Sequence, residues 1–272
     1  MRRRGFLGLP ILGVLGGMVT GCGEEATVRE SDGRLTYGDD PSQFGELYLP
    51  EGDPRGVVVV LHGGFWLAQF DLSLGRPLAT SLADEGWAAW NLEYRRVGNG
   101  GGAPQTLDDV AAGIDRLAEL DLDLDLSTVV TLGHSAGGHL ATWAASRDRF
   151  DQWAGGVAVT GVISQAGVLD LRQGYDDGLG GGAVEGFLGH PPTAADDPVD
   201  PARQVPLDVP VWCVHAAGDA IVPISQSEDY VAAAARAGAE AELVEVDGDH
   251  FVVIDATSEA WTTTLGILDE LG

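Results

Sequence analysis

Four consecutive valines and a leucine stand at Val57-Val58-Val59-Val60-Leu61. A strand with one face in water alternates apolar and polar residues. An unbroken β-branched run instead predicts a strand covered on both faces, as in a parallel sheet flanked by helices. Apolar-rich stretches at 87–94, 128–132, 157–163, 209–214 and 242–246, some interrupted by polar residues, predict further strands, with an earlier one at 45–49. Leu107, Val110, Ile114 and Leu117 share one face of a helix predicted over 107–120. Helices are also predicted over 136–146, 225–237 and 256–271. This alternation predicts an α/β fold, a mostly parallel twisted sheet with helices on both faces. Residues 171–205, with Gly180-Gly181-Gly182 and an acidic cluster, break the rhythm and are read as a small irregular cap excursion.

Charge narrows the function. The chain has 42 acidic and 15 basic residues, all of the latter arginine, for a formal net charge of −27. Nucleic-acid binding needs the opposite sign and is excluded as a class. At the N-terminus, Arg2-Arg3-Arg4 precede an apolar run over 6–19, too short for a comfortable membrane span. Arg3-Arg4-Gly5-Phe6-Leu7 resembles a twin-arginine export signal, and Val19-Thr20-Gly21-Cys22 a lipoprotein cleavage box. Residues 1–21 are therefore read as a signal peptide, 22–42 as a flexible tether and 43–272 as the folded domain. A lipid on Cys22 would anchor the exported protein to the outer face of the cell membrane. Cys213, the other cysteine, lies in an apolar run and is expected to be buried and inert.

Gly133-His134-Ser135-Ala136-Gly137 fits the pattern G-x-S-x-G, with a β run before it and a helix-forming run after. A sharp strand-to-helix turn pushes the serine Oγ out at the strand end, and small neighbours let the backbone pass closely. The helix start adds partial positive charge beside a developing anion. A serine hydroxyl still needs a base within reach and a carboxylate to orient that base. The turn directs His134 away from Ser135, and His139 lies a helical turn further into the fold. Their spacing of five does not match the three or four that puts metal ligands on one helix face, which argues against zinc. His250, just past the 242–246 strand, is the candidate base. Asp219, in the loop after 209–214, is the candidate acid, and Asp170, after the preceding strand, is its rival. His62-Gly63-Gly64-Phe65-Trp66 follows the first long strand. Amides of Gly63, Gly64 or Phe65, with that of Ala136, can hold an oxyanion. Trp66 is read as a lining residue of the substrate pocket. This chemistry calls for no metal or organic cofactor.

HGGFW, NLEYRRVG, GHSAGGHLA, GDAIVP and GDHF, in that order, resemble the α/β-hydrolase superfamily. They are most similar to its esterase/lipase branch, with kynurenine formamidase-like and feruloyl or acetyl-xylan esterase-like members. The resemblance covers the chain from about residue 45 onward. It implies an α/β-hydrolase domain over 43–272, with Ser135 as nucleophile, Asp219 as acid, His250 as base and the HGG loop as oxyanion hole. It also implies hydrolysis of small-molecule carboxylic esters, with small or aromatic acyl groups, through an acyl-enzyme on Ser135. An arylformamidase or a prolyl-oligopeptidase-like peptidase would use the same three residues on an amide. A non-catalytic surface binding module on this fold is the alternative of another class. HGGFW departs from the HGGG of lipases, and the 171–205 segment leaves the substrate open. Glu93, Arg95 and Arg96 are expected to form a structural network near the site.

Overall fold

The computed structural model describes residues 33–271; the expected signal peptide, the Cys22 box and the tether as far as residue 32 lie outside the described residues. In chain order the elements are β1 (Arg34–Thr36), β2 (Phe44–Tyr48), β3 (Val57–Leu61), α1 (Arg76–Asp84), β4 (Ala88–Leu92), α2 (Gln105–Asp115), β5 (Val129–His134), α3 (Ala136–Ala144), β6 (Gly161–Gln165), α4 (Leu171–Asp176), α5 (Ala183–Leu188), β7 (Val211–Ala216), α6 (Ser225–Ala237), β8 (Ala241–Val246) and α7 (Glu259–Asp269). The strands form an eight-stranded sheet in the order β1-β2-β4-β3-β5-β6-β7-β8. The β1–β2 and β2–β4 pairs are antiparallel and the rest parallel.

The valine run explains why the sheet is buried on both sides. Val57, Val59 and Leu61 point toward Leu107 and Val110 of α2 and Leu140 of α3. Val58 and Val60 point the other way, onto Leu78 and Leu82 of α1 and Trp261 of α7. Burying each such side chain contributes about 1.5–3 kcal/mol, so a polar residue anywhere in β3 would be costly. From β3 the chain steps out to β4 and then returns across β3 to β5. That reversal opens a crevice at the carboxyl ends of β3 and β5, where ligands meet sheets of this kind. Register places Leu61 opposite Gly133 and His134 opposite Gln165, so these strand ends lie level.

Three expectations change. The tether ends before residue 42: β1 pairs with β2, Arg34 opposite Glu46, and the Arg34 guanidinium lies 3.4 Å from the Phe44 ring centroid. β6 begins at Gly161, not 157, because Val157 is held elsewhere. Its N–H donates to Asp115 (3.1 Å) and its carbonyl accepts from Arg147 (2.7 Å), which itself pairs with Asp115. The 171–205 excursion is folded, with α4, α5 and 3-10 turns at Ala194–Val199 and Pro201–Arg203.

Asp200, in this cap, is buried at 2% exposure. One carboxylate oxygen accepts from the amides of Leu171 and Ala202, and the other has no hydrogen-bond partner. Burial first, and repulsion from Asp170 second, push the carboxyl up to about 7. A raised folded-state value means the contribution to stability is full below the unfolded value and lost as pH rises through about 7. Asp200→Asn keeps an accepting oxygen and removes the charge. It is expected to raise Tm above neutral pH, by about 2–4 °C per kcal/mol for a domain this size, with the gain shrinking through mild acid and vanishing below the unfolded carboxylate value of about 4. Paired thermal melts check this.

Candidate active site

Ser135 joins β5 to α3 with φ 56° and ψ −118°, a left-handed conformation that a non-glycine residue adopts at a cost of about 1–3 kcal/mol. The fold holds it there. Its N–H donates to Gln165 O (2.8 Å), and its carbonyl accepts from His139 (3.1 Å) and Val168 (3.3 Å). The turn tolerates no bulk: a Cβ on Gly137 would lie 2.0 Å from the carbonyl oxygen of Leu61. The Oγ makes no hydrogen bond to another described residue.

The loops after β7 and β8 meet beside this turn. A Cβ on Gly218 would lie 2.4 Å from Gly248 O, so the two loops touch backbone to backbone. Across that contact His250 Nδ1 donates to Asp219 Oδ2 at 2.6 Å, while Asp219 Oδ1 accepts from the amides of Ile221 (2.8 Å) and Val222 (2.9 Å). Burial alone would raise the Asp219 carboxyl. Hydrogen bonds from His215, His250 and the two amides outweigh it and hold the group well below the usual carboxylate range. A carboxylate only accepts, so Nδ1 of His250 carries a hydrogen, and in the neutral imidazole Nε2 is the nitrogen with the lone pair. Asp170, the rival acid, instead caps α4 and pairs with Arg203.

His134 ties the two halves together. Its Nε2 donates to the His250 carbonyl at 2.9 Å, and the two rings lie 4.5 Å apart. Burial, then repulsion from His250, lowers His134 to about 3, so it stays neutral. His139 Nε2 donates to Val199 O (2.8 Å) in the cap, and burial lowers this group to about 4. The two histidines therefore serve different loops.

Gly63 packs directly on the serine turn, where a Cβ would lie 3.2 Å from that of Ser135. Phe65 (φ 55°) and Trp66 (φ 56°) are both left-handed, and this tight turn is pinned by Leu67 N–H on Gly64 O and Val97 N–H on Trp66 O. The amides of Gly64, Phe65 and Ala136 donate to no other described residue. His62 stacks on Tyr94 at 4.4 Å and contacts Glu93 at 3.1 Å, and Glu93 also pairs with Arg96. Arg95 departs from the expected network and binds Asp109.

Trp66 does not line an open pocket. It is 1% exposed, stacked on Phe187 of α5 at 4.6 Å and edge-on to His139. Phe65 takes the outer position, half-buried beneath Gly180 of the cap. On the other flank Phe251 is 55% exposed and meets the His250 ring edge-on at 5.3 Å. Sequence reasoning passed over His215 too. Its Nε2 lies 3.0 Å from Val222 O and 3.3 Å from Asp219 Oδ2, and its Nδ1 2.8 Å from Ser227 Oγ. Its position at a strand end, four residues before Asp219, was the available signal. Cys213 is buried as expected, its thiol pushed up to about 12 by desolvation.

A sheet wound both ways from β3, with a left-handed serine on the turn after β5, defines an α/β-hydrolase. The chain belongs to the BD-FAE family, whose model matches residues 46–233. Among curated proteins it is 25% identical to Esterase LipC of Mycobacterium tuberculosis over 73% of this chain. It spans 53% of that relative's length. Solved structures with the same fold include a thermophilic esterase of Thermogutta terrifontis, with TM-score 0.71, 22% identity and coverage of 90% of this chain and 92% of that one. A truncated carbohydrate esterase from gut microbiota has TM-score 0.73 and 21% identity, covering 91% and 98%.

Proposed function

We propose that the protein is a serine hydrolase of carboxylic esters with small or aromatic acyl groups, acting through an acyl-enzyme on Ser135. The observation that carries this reading is the 2.6 Å Asp219–His250 bond, which leaves Nε2 as the free basic nitrogen beside the serine turn. His250 takes the Ser135 proton as Oγ attacks the ester carbonyl. Amides of the Gly63–Phe65 loop and Ala136 donate to the oxyanion, each such donor contributing about 3 kcal/mol to the transition state. Nε2 then protonates the leaving alcohol, and water repeats the cycle to release the acid. The flanking rings of Phe65 and Phe251 could contact a small or planar acyl group. The esterase names of the similar proteins support the ester over the amide.

Two measurements test this. A fluorophosphonate probe should label the purified protein at Ser135; an unlabelled protein would be the binding module instead. A hydrolysis panel should then show turnover of acetyl, butyryl and feruloyl esters. Turnover confined to N-formylkynurenine or prolyl amides would replace the ester reading with the arylformamidase or peptidase one.

A further inference from the structure

We propose that His215, held by Ser227, is a positioning residue for the Asp219–His250 pair; this rests on the hydrolase reading above. His215 lies on β7 and Ser227 in the first turn of α6, both on regular elements, and both are fully buried. Asp219 and His250 lie on loops. Only acceptors face His215 Nε2, namely Val222 O at 3.0 Å and Asp219 Oδ2 at 3.3 Å, so this nitrogen carries the hydrogen. Nδ1 then accepts the Ser227 hydroxyl proton at 2.8 Å. Both ring nitrogens are satisfied, which removes the cost of burying them.

The contact falls on the oxygen that matters. Asp219 Oδ1 is fixed by two amides of its own loop, and Oδ2 accepts from His250 Nδ1 with His215 Nε2 3.3 Å away, its hydrogen shared with Val222 O. His215 thus ties the carboxylate to the sheet and limits its swing, keeping Oδ2 aimed at His250 Nδ1. Small misplacements of such a group are expensive in rate, because the reacting atoms must already be aligned. His215 touches no substrate, and its effect passes wholly through Asp219.

The test compares His215→Leu, His215→Gln and Ser227→Ala. His215→Leu should lower kcat about ten- to a hundredfold, the range for losing a hydrogen bond to a charged group, with KM changed less than about twofold. His215→Gln, whose amide nitrogen can replace Nε2, should recover most of that kcat. Ser227→Ala, the milder change, should lower kcat several-fold, again with KM held. A folded Leu variant with wild-type kcat overturns the proposal, and so does failure of Gln to rescue. If the Leu variant does not fold, Ser227→Ala decides, and an unchanged kcat overturns it. The low-field proton resonance of His250 Nδ1–H gives a readout independent of turnover. It should broaden or move in His215→Leu even if the protein hydrolysed no ester, which separates failure of this inference from failure of the hydrolase reading.

Discussion

Ser135→Ala should abolish ester turnover, lowering kcat by about a millionfold, the loss seen when the nucleophile of such a triad is removed. The remaining rate over water would come from the oxyanion amides and substrate binding, which the substitution leaves in place. The fold should survive. All three hydrogen bonds that hold residue 135 in its left-handed turn are made by its backbone, and its Oγ makes none to another described residue. Alanine carries no greater steric penalty than serine at φ 56°. The variant should therefore match the parent in Tm and circular dichroism while losing both turnover and fluorophosphonate labelling. Retention of more than about a hundredth of kcat would mean that another group attacks the carbonyl.

The parts of this arrangement legible in the sequence are those that short-range rules control. Val57–Leu61 is a strand because four β-branched valines in a row favour an extended backbone, and their unbroken apolar character suits a sheet buried on both faces. Ser135, Asp219 and His250 could be found because each follows a strand, buried at β5 and β7 and half-buried at β8, where a parallel sheet collects its side chains. Long-range packing decided the rest. Which of Phe65 and Trp66 turns outward depends on Phe187, far along the chain, stacking on Trp66. β1 is short and polar on its exposed side, and it forms only because β2 offers an unpaired edge. Helix α1 is short and mixes two leucines and two alanines with polar residues, and its stripe of Leu78, Ala79, Leu82 and Ala83 shows as a core face only against β3 and β4. His215 reads as one more residue of an apolar run until the loop after β7 folds its own Asp219 back onto it.

Asp219→Asn should lower kcat about 10⁴-fold, in line with the same change in serine-protease triads, while moving KM little. Geometry gives the reason. Two loop amides already donate to Oδ1, so the asparagine oxygen must take that position. Its NH₂ group then faces His250 Nδ1, from which the carboxylate had accepted, and His215 Nε2, whose hydrogen it had shared with Val222 O at 3.3 Å. Donating to Nδ1 moves the imidazole proton to Nε2, the nitrogen that must take the proton from Ser135, and the base is lost without any change of shape. The clash of NH₂ with the His215 Nε2–H adds a stability cost with a definite pH dependence. In the parent, Asp219 is held well below its ordinary value, so its contribution is present above the unfolded carboxylate range and lost as pH falls through the folded value. The Tm deficit of the asparagine variant should therefore be largest at neutral pH and narrow on acidification. Melts and kcat at matched pH values check both halves. An Asp219→Asn variant with near-parental kcat would show that His250 keeps its tautomer without the carboxylate, and that Asp219 serves the fold alone.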